Sequence, residues 1–262
     1  MENTKHYSVR VLKMGQSEVP GPEVYWMSHW DTWETLCFNM ILIQGDGLVA
    51  IINTGPPADL TDLNGFWNQF AGRRALLVRG EDERPLNALR ACGVGASDVN
   101  LVFLTPLQSY ATANVPLFTS AQVCLSRRGW IEDFHAPKRE IHVPRRLRLP
   151  DDVVQYLCVT QPEKLRLLPD EETTVAPGIR TWWVGTHHRS SMAIAVETDK
   201  GTVIASDCFF KYGNIEQGHA LGIAESLDEC HEAYEKIRKE ADIVLPLYDP
   251  TIFDRHPQGI VA

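Results

Sequence analysis

The sequence lacks long hydrophobic runs, an N-terminal export signal and an excess of basic residues. No stretch approaches the roughly 18 apolar residues of a membrane-spanning helix, so we expect no membrane span. The opening residues MENTKHYSVRVLK contain charges but no apolar core of a signal peptide. Acidic residues outnumber basic residues by 34 to 25, which gives a net charge of -9. This balance disfavours nonspecific binding to nucleic acids or anionic membranes.

Several motifs that would identify a function are also missing. The six cysteines form no C-x-x-C pair, and without an export signal we interpret them as reduced thiols of a cytoplasmic protein. There is no G-x-S-x-G, Walker or Rossmann pattern, so nothing indicates a serine-hydrolase elbow or a nucleotide-binding loop. With 262 residues, 44% of them hydrophobic, the chain is long enough for one domain with a large core.

The pattern of apolar residues predicts strands that alternate with helices. Residues 38–43 and 48–53 flank a QGDG turn and predict a hairpin, and residues 99–104 predict a buried strand. A helix over 226–240 begins at Ser226 with a capping-box pattern. Such an order favours helices packed outside mixed sheets, with a site in the loops at strand ends. We expect a single domain over residues 1–262, in which 133–170 forms a lid or insertion; further strands are predicted at 179–184, 192–198 and 202–206.

Four segments together resemble the metallo-β-lactamase superfamily. They are INTGPP, then RPLNALRACGVGASDVNLVFLTPLQSYATAN, then WVGTHHRSSMAIAVETDKGTVIASDCFFKYGNIE, then VLPLYDP, and they span roughly residues 38 to 257. Within the superfamily, the sequence looks most similar to the N-acyl-homoserine lactonase branch. The resemblance implies an α/β (α+β) fold, an αββα sandwich of two mixed sheets flanked by helices, with the site between the sheets.

The resemblance also implies a dinuclear metal site, usually of zinc, and here the sequence departs from the family. The family motif T-H-x-H-x-D-H falls on residues 105–111, where its four ligand positions are occupied by residues that suit zinc poorly or not at all. A later ligand, the His of P-G-H-D, falls on Tyr248. Only His187 and Asp207 remain, which is fewer than zinc needs from protein. The four substituted motif positions are Pro106, Gln108, Tyr110 and Ala111.

We therefore predict a pocket that works without metal, in which His187 acts as general base and Asp207 orients either His187 or the substrate. Tyr110 or Tyr248 would donate a proton or a hydrogen bond to the substrate oxygen. The alternative interpretation is that these side chains only fill the space vacated by the metals. If one metal ion is retained, His187 and Asp207 are its first candidates, with a third ligand among His188, Asp249, Tyr248, Cys208 and His29.

Further candidate substrate-binding residues lie at the rim of this pocket and in a tryptophan-rich segment near the N-terminus. That segment indicates either an aromatic wall for a ligand or a core or homodimer contact. The basic run at 139–148 indicates either a site for an anionic group, such as a coenzyme A tail, or a solvated lid face. The candidate substrate-binding residues are Gln108, Phe210, His188, His29, Trp30 and Trp33.

Three functions remain open from the sequence. The first is a metal-independent enzyme that needs no cofactor and acts on a small carbonyl-bearing or ring compound. The second is a non-catalytic protein that binds a small molecule or a partner in the same cleft. The third is a hydrolase of lactones, esters or thioesters with one rebuilt divalent metal ion.

Overall fold

Two mixed β-sheets form the centre of the computed structural model, which describes residues 6–137 and 143–262. In the first sheet the strands follow chain order, with antiparallel pairing from β1 to β3 and parallel pairing from β3 to β6. In the second the order is β11-β10-β9-β8-β7, with one parallel pair, β10 and β11. The strands are β1 (Ser8–Pro20), β2 (Trp33–Gly45), β3 (Leu48–Ile52), β4 (Leu101–Leu104), β5 (Gln122–Ser126), β6 (Leu165–Leu168), β7 (Thr173–Ala176), β8 (Ile179–Trp183), β9 (Met192–Thr198), β10 (Gly201–Ser206) and β11 (Ile243–Pro246).

The alternation of side chains along β2 shows how the layers are arranged. Ile41 and Ile43 belong to the core cluster shared by the two sheets, whereas Met40 and Leu42 belong to a second cluster with Leu89 of a flanking helix. Residues 36–43 of this strand are buried, with hydrophobic side chains on both faces, and the predicted αββα sandwich of two mixed sheets is confirmed. The helices are α1 (Gly21–Val24), α2 (Thr61–Ala71), α3 (Pro85–Ala91), α4 (Ser109–Thr112), α5 (Arg127–Gly129), α6 (Arg145–Arg148), α7 (Asp151–Gln155), α8 (Tyr212–Gln217), α9 (Leu227–Glu240) and α10 (Ile252–Arg255).

The start of α9 agrees with the sequence in part. The Ser226 hydroxyl accepts a hydrogen bond of 3.3 Å from the Glu229 backbone N–H, as expected of an N-cap. The Glu229 carboxylate does not complete the capping box, because it forms an ion pair with Arg189 instead. Among the helices of the described residues, none has the length and apolar character required to cross a bilayer.

The segment 133–170 is integrated into the domain at its C-terminal end. Leu165–Leu168 forms β6 and pairs in parallel with β5, so this part completes the first sheet instead of covering a site. Within this segment, α7 ends at Gln155 and continues as a π-helical turn, Tyr156–Thr160. Residues 139–142 of the basic run lie outside the described residues.

Candidate active site

The site lies where strands of both sheets end. Asn53 follows β3 and Thr105 follows the neighbouring parallel strand β4, so the two residues emerge at the same edge. The Asn53 amide donates to the Thr105 carbonyl at 2.8 Å, and its oxygen accepts from the Thr105 N–H at 2.9 Å. Asn53 adopts φ 63°, a left-handed conformation that asparagine tolerates better than most residues. This reciprocal pair fixes the loop that carries Thr105 towards the second sheet.

Asp207 is the centre of a buried polar cluster. It follows β10 and is fully buried, and its Oδ1 accepts a hydrogen bond from the Thr105 hydroxyl. Its Oδ2 accepts from the Ser191 hydroxyl at 2.5 Å and lies 3.1 Å from His187 Nδ1. Burying a carboxylate is costly unless it is hydrogen-bonded, and these three partners meet that requirement. Both carboxylate oxygens are therefore engaged by protein groups.

His187 lies on the loop after β8, next to a strained residue. Thr186 is buried with φ 69°, which is unusual for a β-branched residue and persists only where the surrounding structure enforces it. Arg189 supplies that constraint, since its guanidinium lies over the Trp183 ring and pairs with Glu229. The loop holds His187 with Nδ1 against Asp207, and His187 Nε2 has no hydrogen-bond partner among the described residues.

Tyr110 and Tyr248 form the aromatic side of the site. Their ring centroids are 6.1 Å apart, and Tyr248 meets the edge of Phe210 at 4.7 Å. Burial is the main cause that raises the pKa of both hydroxyls, and the negative charge of Asp207 raises them further. Both tyrosines therefore stay protonated near neutral pH and can act as hydrogen-bond donors. The buried Tyr248 hydroxyl has no well-formed hydrogen bond among the described residues.

Gln108 and His188 lie beside His187. The Gln108 amide nitrogen is 3.2 Å from His188 Nε2, and the rings of His187 and His188 have centroids 4.0 Å apart. Together with Tyr248, these side chains form a compact polar surface at the cavity wall. The structure thus brings together His187, Asp207, Tyr110, Tyr248, Gln108, Phe210 and His188 from the sequence-based candidates.

A cavity of about 360 Å³ opens beside this cluster, and its lining is mostly apolar. One wall comes from α2, which presents Leu63, Phe66, Trp67 and Phe70 at helical spacing. The polar contribution is limited to a few side chains, as is typical of sites that bind small organic molecules. The polar lining residues are Ser17, Glu23, Gln108, His187, His188 and Glu225.

The donors present do not fit the dinuclear metal site that the resemblance implies. No group of three or more His, Cys, Asp and Glu side chains suited to a metal occurs among residues 6–137 and 143–262. Asp207, the carboxylate at the bridging position, spends both oxygens on Thr105, Ser191 and His187. His187 in turn directs Nδ1 at that carboxylate. The local chemistry is that of an Asp–His pair and two tyrosines.

Two of the additional candidates for a third metal ligand have structural roles. Asp249 accepts hydrogen bonds from the Tyr212 N–H at 2.8 Å and from the Thr251 hydroxyl at 2.7 Å, which fixes the turn after β11. Cys208 is fully buried, and burial raises the pKa of its thiol well above the usual value. Neither residue lines the cavity.

The tryptophan-rich segment is not brought to this cavity. His29 stacks on Tyr25 with centroids 4.3 Å apart, and Trp30 is 66% exposed. The Trp33 ring lies 4.5 Å from the Arg74 guanidinium, as in a cation–π contact. None of the three candidates, His29, Trp30 and Trp33, is a lining residue. The expectation that they form a wall of this cavity is therefore not met.

The described arginines of the basic run are engaged elsewhere. Arg145 forms an ion pair with Asp151, and Arg146 pairs with Asp62 at 3.2 Å. Arg148 is buried, and none of these three arginines lines the cavity, which leaves no described arginine of the run as a ligand for an anionic group there.

Sequence reasoning missed several residues that shape the site. Thr105 and Ser191 hold Asp207, yet short hydroxyl side chains far apart in sequence give no recognisable pattern. The α2 wall did leave a signal, because Leu63, Phe66, Trp67 and Phe70 follow the i, i+3, i+4, i+7 spacing of an apolar helix face. Glu23 gave no signal as a single carboxylate in a Pro-Gly-Pro-Glu segment.

Comparison with known proteins gives matches in structure but not in sequence. No family model matches the sequence, and no curated protein matches it either. An N-acyl homoserine lactone hydrolase with the product N-hexanoyl-L-homoserine at its catalytic metal centre superimposes with a TM-score of 0.78 at 16% identity, over 96% of each chain. A probable metal-dependent hydrolase from Staphylococcus aureus gives a TM-score of 0.72 at 16% identity, over 94% of this chain and 91% of the other.

A third solved structure, the hydrolase AbOPH of the beta lactamase superfamily, gives a TM-score of 0.67 at 12% identity. It covers 99% of this chain and 93% of its own. Likeness at such low identity bears on architecture and leaves activity open. From its sheet order, its layers and these superpositions, the chain has the metallo-β-lactamase fold.

Proposed function

We propose that the protein is a metal-independent enzyme that carries out acid–base chemistry on a small carbonyl-bearing or ring compound. The observation that carries this proposal is the buried His187–Asp207 pair at the polar end of a mostly apolar cavity. A histidine oriented by a buried carboxylate is an arrangement that enzymes use to remove a proton near neutral pH.

Each side chain would have a distinct role. Asp207 accepts from His187 Nδ1–H and so leaves Nε2 as the basic nitrogen, able to take a proton from the substrate or from an attacking water. Tyr110 and Tyr248 stay protonated and would donate hydrogen bonds to the carbonyl oxygen as negative charge develops on it. The apolar walls limit water around this polar end, which strengthens such electrostatic interactions.

The donor chemistry supports a mechanism without the two metals of the lactonases. Two hydroxyls and a histidine already lie on the two oxygens of Asp207, and a metal at the bridging position would have to compete with these partners. The structural neighbours that bind metal are hydrolases by their own descriptions. For this chain, we propose that hydrolysis or proton transfer at a carbonyl uses protein groups alone.

A second candidate function is a non-catalytic binding protein that uses the same cavity. The favouring observation is that Phe38, Tyr110 and Phe210 each meet the Tyr248 ring edge to face, and that Phe210 and Tyr248 also meet the His187 ring in this way. Aromatic replacements of this kind also stabilise a fold that has lost its metals.

Measurement of turnover on a panel of esters, lactones and thioesters separates these functions. We expect the wild-type protein to turn over at least one class, unaffected by a chelator, and His187→Ala to lose about 10²-fold or more in kcat while still binding the substrate. No turnover of any class would favour the binding protein. Turnover abolished by the chelator would instead support a rebuilt single-metal site.

A further inference from the structure

Glu23 is an unbalanced acidic group in the cavity. It lies in α1 (Gly21–Val24), is partly buried, and forms part of the cavity lining. Among the described residues, its carboxylate has neither an ion pair nor a hydrogen bond. Burial raises the pKa of Glu23 to about 7, with no nearby positive charge to oppose the effect. An ionised, partly buried carboxylate without a partner costs free energy, and a group of a bound ligand would lower this cost by acting as its partner.

The charges along the lining point to the kind of group that would fit. No lysine or arginine is present among the described lining residues. The other lining carboxylate, Glu225, already pairs with Arg189 at 2.6 Å. Glu23 is therefore the acidic group left to interact with an occupant, and an anionic occupant would meet repulsion without compensation.

The aromatic wall provides a second, independent feature. Phe38, Trp67 and Tyr110 line the same cavity, with ring centroids 5.0–6.0 Å apart in all three pairs. Aromatic faces attract cations, most strongly when water is excluded, and they also accept apolar groups. A wall of this composition accepts an apolar body in either case, but its ring faces attract an ammonium group and not a carboxylate.

We propose that the cavity selects ligands that carry an ammonium group on an apolar body, and that Glu23 binds this group. The inference deepens the proposed function, because it rests on the cavity being the ligand site. It does not require that His187 performs catalysis. Glu23 would act as a specificity-determining residue, separate from the His187–Asp207 pair.

Three probes of equal chain length test the selection: hexylamine, hexan-1-ol and hexanoate, titrated calorimetrically near pH 8, where the amine is protonated and Glu23 is mostly ionised. For the wild type, we expect hexylammonium to bind most tightly and hexanoate most weakly. Glu23→Gln keeps the size of the side chain but removes its charge. We expect it to weaken hexylammonium binding about tenfold, with hexanol changed less than about twofold.

Glu235→Gln, which removes an exposed carboxylate on α9, is the matched control and should leave all three affinities unchanged. Hexanoate binding as tightly as hexylammonium, no effect of Glu23→Gln, or no binding of any probe would each contradict the inference. Turnover of the wild-type protein, measured beside these affinities, distinguishes the two proposals. If the protein shows no turnover but the ammonium preference survives, the proposed function fails alone; if turnover persists without the preference, this inference fails alone.

Discussion

Tyr248 retains a buried hydroxyl that the described residues leave without a well-formed hydrogen bond. Such a group costs about 1–3 kcal/mol of stability, and phenylalanine would fill nearly the same space without that cost. The neighbouring Tyr110 hydroxyl also raises the pKa of Tyr248. Under the proposed function, the partner of the Tyr248 hydroxyl is a substrate oxygen that becomes negative during the reaction.

Tyr248→Phe should separate these roles. We expect the free energy of unfolding to stay the same or rise by about 1 kcal/mol, and kcat to fall about 10²-fold, because one donor to the developing oxyanion is lost. Tyr156→Phe is the control, since Tyr156 also has a buried hydroxyl without a partner but belongs to the core cluster remote from the cavity. Unchanged kcat in Tyr248→Phe, measured alongside denaturant unfolding, would show that the residue only fills space.

At the level of single residues, the sequence predicts which family ligand positions are substituted, but it does not predict the contacts that the substituted side chains make. The positions of Pro106, Gln108 and Ala111 could be assigned because flanking residues keep the family pattern. The sequence could not predict that the hydroxyls of Thr105 and Ser191 both donate hydrogen bonds to Asp207. A hydroxyl pairs with whatever acceptor the fold brings near, and this depends on the packing of two sheets.

At the scale of elements, the loop from β8 to β9 determines how His187 is placed. Thr186 adopts a left-handed φ, and Arg189 anchors the loop against Trp183, Glu225 and Glu229. The two carboxylates hold the guanidinium firmly and raise the pKa of Arg189. The loop conformation is thus maintained by an ion-pair network of which Glu225 lines the cavity, whereas Arg189 and Glu229 do not.

Arg189→Ala should loosen this loop. We expect a loss of about 2 kcal/mol in the free energy of unfolding, because two partly buried carboxylates lose their partner. We also expect kcat to fall more than KM rises, since His187 is displaced while the apolar walls remain. Arg84→Ala removes an exposed ion pair with Glu81 in the turn that precedes α3 and should leave stability and kcat unchanged. If the Arg189 variant behaved like this control, the network would not position the loop.

The elements that sequence predicted best are those with local determinants. The hairpin of β2 and β3 follows from its Gly-Asp-Gly turn, and α9 follows from its cap at Ser226. By contrast, the sequence does not predict β6. Its pairing with β5 is nonlocal, and its four residues are too few to give a periodic pattern. The sequence also could not predict that the tryptophan-rich segment lies away from the cavity, because only tertiary packing decides the position of Trp30.

In the molecule as a whole, the architecture matches that of metal-binding hydrolases, whereas the described side chains at the site do not match a metal-binding group. The fold superimposes over 96% of an N-acyl homoserine lactone hydrolase, yet the described part of this chain offers no cluster of three metal-binding side chains. The sheets are stabilised by apolar packing that extends far beyond the site, so the fold does not depend on the side chains of the site alone. A cleft between loops at strand ends remains, and its chemistry is set by the residues that now line it.

The metal content of the active protein tests this account most directly. Elemental analysis of purified protein, before and after incubation with excess zinc and dialysis, should give well under one equivalent of any transition metal, with turnover unchanged by zinc. Two equivalents of zinc or iron that survive dialysis and are required for turnover would contradict a metal-independent mechanism.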